Sequence, residues 1–256
     1  MRIIPLSEGA FTIDSTKEFI PFDKENDELQ ERAKGSLLVE IQPFLLITEK
    51  DILLLDTGLG FTNKEGILQL HENIAKHGID PSLVTKVLMS HLHKDHAGGM
   101  VVFDKSKKEY QAAFPEATYY INRKEWNHAF EIVSPSYSPE KLKCLHHFNK
   151  LIFLDEDKGI IDGLIHYQLS SGHSPFHQVF QIIEHDEIVF FGGDEAPQLQ
   201  QMKTRFVAKY DQDGKKAMEL RKQWWEMGEQ GRWTFLFYHD IKTPTYTFSI
   251  PAKNVL

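Results

Sequence analysis

Ser90-His91-Leu92-His93-Lys94-Asp95-His96-Ala97-Gly98-Gly99 packs three imidazoles and a carboxylate into six consecutive residues. Imidazole nitrogen and carboxylate oxygen suit zinc and related first-row divalent metals, and a turn carrying four such groups can serve two ions at once. Following an extended segment, His91 and His93 project to one side, whereas Asp95 and His96, beyond the strand end, swing towards a second position. The stretch therefore reads as half of a two-metal site. Three later residues complete it, each closing an apolar, strand-like run: His173 after Ser171-Gly172, Asp194 in Phe191-Gly192-Gly193-Asp194, and His239 in Phe237-Tyr238-His239-Asp240. One HxHxDH arises by chance, but that motif followed in order by a Gly-His turn, a Gly-Gly-Asp strand end and a terminal strand-His does not.

These side chains need strand ends to stand on. Short Ile, Leu, Val and Phe runs over 2–14 and 36–55 read as sheet strands, with Glu49-Lys50-Asp51 as a hairpin turn. Ile52-Leu53-Leu54-Leu55 runs into Asp56-Thr57-Gly58, a carboxylate at the end of a buried strand, where α/β proteins place their chemistry. Helical spacing covers 65–77, a strand over 84–89 delivers His91, a polar segment spans 103–111, and a strand over 117–121 precedes a helix over 123–132. Pro139 opens a further helix, strands recur over 151–154, 166–169, 178–184 and 188–191, and a helix over 215–230 leads into a last strand over 234–238. The charge-dense segment 23–32 reads as a solvated loop, with 15–35 a candidate lid.

At 256 residues, 41% of them hydrophobic, the chain fits one domain, 1–256, with a sizeable core. A net charge of −8 argues against a nucleic-acid partner, since phosphate binding needs clustered Lys and Arg, and favours a small-molecule substrate. The single cysteine, Cys144, forbids an intrachain disulfide and fits a reducing cytoplasm. Nowhere do eighteen apolar residues run together, so no membrane partner is expected, and the oligomeric state is left open.

From Asp56-Thr57-Gly58 to His239 the chain resembles the metallo-β-lactamase superfamily. The resemblance implies an α/β fold, the αββα sandwich of two mixed sheets flanked by helices, with two divalent metal ions on one edge. It assigns His91, His93 and His173 to one ion, Asp95, His96 and His239 to the other, and Asp194 to both; zinc is expected, with iron or manganese as alternatives. A water between two such cations is deprotonated near neutral pH, and Asp95 or Asp194 can pass a proton to the leaving group. Asp56 is implied to orient a ligating histidine rather than to ligate.

Within the superfamily, Phe114-Pro115-Glu116-Ala117 through Glu125-Trp126, and Phe237-Tyr238-His239-Asp240, are similar to the N-acyl-homoserine lactonase and methyl parathion hydrolase-like group. Pro197 stands where those lactonases often carry a tyrosine. The expectation is a hydrolase of small esters, lactones or related acyl compounds, with an iron oxidoreductase of the persulfide dioxygenase kind or a phosphoester hydrolase as alternatives. His177 reads as structural, Cys144-Leu145-His146-His147 as surface helix, and Trp224-Trp225 as core.

Overall fold

Residues 1–248 are described by a computed structural model, so the expectation of one domain running to residue 256 extends beyond the described residues. The first sheet has the order β1 (Arg2–Pro5), β5 (Phe44–Ile47), β6 (Ile52–Leu55), β7 (Lys86–Leu88), β10 (Thr118–Asn122), β11 (Leu151–Leu154). The second runs β12 (Lys158–Ile161), β13 (Ile165–Leu169), β14 (Gln178–Glu184), β15 (Glu187–Phe191), β16 (Thr234–Leu236), β17 (Thr245–Thr247). Both are mixed: β6, β7, β10 and β11 run parallel, as do β15 and β16, and their neighbours are antiparallel. A small sheet of β3 (Ile20–Phe22), β2 (Gly9–Ile13) and β4 (Leu37–Ile41), and a hairpin of β8 (Val101–Asp104) and β9 (Glu109–Ala112), complete the strands.

The apolar runs that form these strands lack a polar face because both faces of each sheet are covered. On β6, Leu53 and Leu55 face the second sheet while Leu54 faces the helices; on β15, Val189 and Phe191 face inwards and Phe190 outwards. This period of two creates three apolar layers. The outer one packs α1 (Gln69–Lys76), α3 (Arg123–Glu131) and α4 (Pro139–Leu142) on the first sheet through Leu70, Ile74, Trp126 and Leu142. The middle one joins the sheets through Phe44, Phe180 and Phe191. The third packs α6 (Gly214–Gly231) on the second sheet, with Trp224 against Phe190 and Trp225 against Phe235. The fold is the expected αββα sandwich.

Five strands were hidden in the sequence: β3, β8, β9, β12 and β17. The polar stretch over 103–111 is largely the β8–β9 hairpin, whose side chains are mostly part-exposed, so its apolar content is too low to betray it. Asp104 closes the turn by accepting bonds from the Ser106 backbone and hydroxyl. Strands β3 and β17, three residues each, sit at sheet edges and are too short for a periodic signal.

Phe180 is fully buried between the sheets, opposite Phe191. Phe180→Ala is expected to lower unfolding free energy by roughly 3–5 kcal/mol. Denaturant titration followed by tryptophan fluorescence reads this, and a loss below about 1 kcal/mol would contradict that packing.

Candidate metal centre

Every candidate ligand sits just past the C-terminal end of a strand, on one edge of the sandwich. The first sheet supplies the turn after β7, in which His93 caps the short helix α2 (Lys94–Ala97) that presents Asp95 and His96. The second sheet supplies His173 beyond β13, Asp194 beyond β15 and His239 beyond β16. The two edges are joined by a backbone bond from Gln178 N to Ser90 O at 2.9 Å, while Thr57 N to His96 O at 2.7 Å ties the histidine turn to the loop after β6. Glycines make the closest approach possible: a Cβ on Gly60 would stand 2.2 Å from Gly98 O, and one on Gly99 2.1 Å from Thr57 O. The Gly-Gly that ends the motif is there to let another loop touch it.

All seven predicted residues are brought together, in two adjacent groups. His91, His93, His173 and Asp194 offer ligand atoms within 4.8 Å of one another, and so do Asp95, His96 and His239. His93 Nδ1 lies 2.9 Å from His91 Nε2 and 3.2 Å from His173 Nε2. Asp194 stands between the groups: Oδ2 is 3.2 Å from His173 Nε2, while Oδ1 is 2.9 Å from His239 Nε2 and 3.0 Å from His96 Nε2. Asp95 Oδ2 is 3.5 Å from His239 Nε2.

The far nitrogens are spoken for. Asp56 accepts from His96 Nδ1 at 2.7 Å, Asp211 faces His173 Nδ1 at 3.0 Å, and the Glu40 carbonyl accepts from His239 Nδ1 at 2.7 Å. Each bond fixes ring orientation and leaves Nε2, with its lone pair, aimed into the cluster. His96 Nε2 and Asp194 Oδ1 are buried 3.0 Å apart, yet neither has a partner in good hydrogen-bond geometry, the environment a cation would satisfy. The donor set and its convergence therefore fit divalent metals.

Charge follows the same division. Burial, aided by neighbouring imidazoles, pushes His91, His93 and His177 well below the usual histidine range. Burial is the largest influence on His96, His173 and His239 and opposes their protonation, yet the carboxylates around them, Asp194 foremost with Asp95, Asp56 or Asp211 beside it, together outweigh burial and raise all three. Against its own burial, Asp194 is held well below the carboxylate range by His239, His96 and His173.

His177 stands behind the cluster. Its Nε2 accepts from Asp194 N at 3.1 Å, which leaves Nδ1 as the donor towards Ser170 Oγ at 2.9 Å, and Ser170 in turn donates to Glu195 at 2.7 Å. The helical turn Lys143–His147 is joined to no metal group found among the described residues; its His146 packs on Trp126 and Phe130. Trp224 is core and Trp225 stacks on Tyr246.

A cleft of about 1150 Å³ opens over the cluster, floored by His93, Asp95, Asp194 and His239. The 15–35 segment contributes Ser15, Lys17, Phe19 and Gly35 to its wall. Sequence reasoning gave no role to Asp211, Glu125 or Tyr137. Glu125 accepts from Leu92 N and Tyr137 Oη, and the Tyr137 ring packs edge-on against His93. No spacing rule marks them, because they act through bonds to the turn rather than as ligands.

The sandwich and its His/Asp edge define a metal-binding α/β class, and comparison narrows it. Residues 39–246 match the metallo-beta-lactamase superfamily, to which this chain belongs. A stretch of 114 residues, 41% of this chain, is 31% identical to an N-acyl homoserine lactonase, AttM, of Azorhizobium caulinodans, and covers 38% of that protein. Two solved structures share the fold. A probable metal-dependent hydrolase from Staphylococcus aureus has TM-score 0.74 at 21% identity, over 97% of this chain and 92% of that one. AidC, a dizinc quorum-quenching lactonase solved with a product, has TM-score 0.68 at 20% identity, over 98% and 91%.

Buried Glu8 lies under the Asp56–Gly60 loop and accepts from Leu59 N at 2.7 Å. Burial, with the Asp95 charge behind it, pushes its carboxyl up to about 7. The folded chain thus keeps a proton that the unfolded chain has released from its ordinary carboxylate range upwards, so stability falls as pH rises through that window to about 7. Glu8→Gln is expected to flatten this decline. Melting temperatures at pH 5 and pH 8 test it; parallel losses in both proteins would refute the assignment.

Proposed function

We propose that this chain is a dinuclear metal-dependent hydrolase acting on a small ester, lactone or related acyl compound. The observation that carries the reading is the disposition of Asp194. Its Oδ2 faces His173, with His91 and His93 beside it, and its Oδ1 faces His96 and His239. One carboxylate turned towards two separate donor groups fits a cation on each side. In this reading His91, His93 and His173 hold one ion, Asp95, His96 and His239 the other, and Asp194 is shared. Zinc suits all of these donors, and AidC, a dizinc lactonase, shares the fold.

When bound, two divalent ions make water acidic enough to attack near neutral pH and polarise the acyl carbonyl. The chain supplies the rest. Asp56, Asp211 and the Glu40 carbonyl hold three imidazoles in one tautomer and orientation. Tyr238 stacks on His96 at 4.0 Å between ring centres and donates to Asp95 O, closing the rear of the site to water. Asp95 and Asp194, on the cleft floor, can take a proton from the attacking water and return it to the departing oxygen. Apolar walls from Ile13, Leu37, Ile132 and Phe206 suit an acyl or aryl group.

Purified protein assayed for metal content and for hydrolysis of a lactone, an aryl ester and a phosphodiester tests this reading. Two ions per chain, chelator-sensitive turnover of the lactone or ester and little of the phosphodiester are expected. One iron per chain with oxygen consumed in the presence of a persulfide would sink it. Asp194→Asn is expected to lower kcat at least about 100-fold and to release one ion, because a neutral amide bridges two cations poorly. Asp56→Asn, which alters only the bond to His96 and Ser90, should weaken metal retention by roughly 10–100-fold in a chelator competition. Retention equal to wild type would remove Asp56 from the orienting role.

A further inference from the structure

Helix α6 buries one face, and the residues on it are Gly214, Ala217, Arg221, Trp224 and Gly228, spaced three and four apart. Four of the five suit a face packed on a sheet. The fifth is an arginine, 1% exposed and the largest fully buried side chain among the described residues. A guanidinium cannot shed its charge, so burying one is costly unless acceptors surround it.

The acceptors around Arg221 belong to three segments of the site. Nη1 donates to Glu195 O at 2.8 Å, in the turn that presents Asp194. Nη2 donates to Phe206 O at 2.6 Å, and Phe206 forms part of the cleft wall. Asp211 Oδ2, which has no hydrogen-bond partner, faces Nη1 at 4.0 Å. Two buried carboxylates then converge on His173: Asp211 Oδ1 lies 3.0 Å from its Nδ1, and Glu195 Oε2 accepts from its N at 3.2 Å and from Gly172 N at 3.1 Å. The wall segment closes over the same residues, with Gln212 N donating to His173 O at 3.1 Å and Asp213 N to Gly172 O at 2.8 Å. His173 is thus held at its ring, its N–H and its carbonyl by residues that Arg221 ties together.

We propose that Arg221 is a positioning residue that couples the 204–213 cleft wall to the metal-binding edge: its fork fixes the backbone of the wall and of the Asp194 turn, and its charge keeps Asp211 in place against His173. A planar donor shared between carbonyls of two segments fixes their separation, which an apolar residue of similar volume does not. Without the cation, Asp211 and Glu195 lose their shared counter-charge. The part of His173 as a ligand rests on the dinuclear reading; the coupling of wall, turn and Asp211 does not.

Amide hydrogen exchange on the full-length protein in excess zinc separates this coupling from a plain contribution to stability, because local opening and global unfolding expose different amides. In Arg221→Met the Gln212 and Asp213 amides are expected to exchange about tenfold faster, the lower end for one hydrogen bond from a charged group. Arg221→Lys keeps the charge but cannot bridge two carbonyls; it is expected to show the same local acceleration and serves if the methionine variant does not fold. Trp224→Leu, on the same helix face, is expected to speed exchange in the interior strand β14, which opens with the whole fold, and to leave Gln212 and Asp213 as in wild type. In chelator competition, Arg221→Met and Asp211→Asn are each expected to weaken metal retention about tenfold, and together by well under the product, since both act on one ring. Wild-type exchange at Gln212 and Asp213 in the Arg221 variants, or equal acceleration by Trp224→Leu, would overturn the coupling. Full additivity of the two metal losses would overturn the route through Asp211. A wild-type protein that retains no metal would instead count against the dinuclear reading, with the exchange result still deciding the coupling.

Discussion

The edge of this sandwich depends on one buried carboxylate that is expected to touch no substrate. Asp56 lies at the end of β6 in the left-handed region, at φ 55°, and is wholly buried. It accepts from Ser90 N at 2.7 Å, Ser90 Oγ at 2.6 Å and His96 Nδ1 at 2.7 Å. Burial pushes its carboxyl up, and these donors act to hold it down. Removing one partner would leave a buried charge unsatisfied, so the strained backbone, the β7 end and the histidine turn stand or fall together.

Much of this was legible in the chain. Ligand types, their order and their positions after apolar runs pointed to the seven clustered residues, because metal chemistry restricts both residue type and spacing. Three-layer packing was legible in Ile52-Leu53-Leu54-Leu55 and Glu187-Ile188-Val189-Phe190-Phe191, where both faces are apolar. What stayed hidden were residues whose role is set by tertiary contact. Asp211 lies in a polar run without periodicity, and its carboxylate matters only because α6 and the preceding loop bring it to His173. The β8–β9 hairpin was silent for the same reason: a solvated strand writes no hydrophobic pattern.

The cleft shows how one fold accommodates different substrates. Its floor comes from strand ends that the sandwich holds rigid, whereas its walls come from the β2–β3 loop, the segment after α3 and the segment around α5 (Leu199–Lys203). Loop residues can change without disturbing the layers beneath, since few of them are in the core. Pro197 lines this cleft beside Gln198, outside the set of candidate ligands on the floor.

The two sheets are far apart along the chain yet meet at the cluster: His91–His96 follow β7, while Asp194 and His239 follow β15 and β16. An ion held jointly by Asp194 and residues of the histidine turn is therefore a cross-link that closes a loop of about a hundred residues, for which loop-closure entropy is large. With a single cysteine the chain has no disulfide with which to do this. With such an ion bound, unfolding and metal release would be coupled, and the folded state would depend on the metal supply around it.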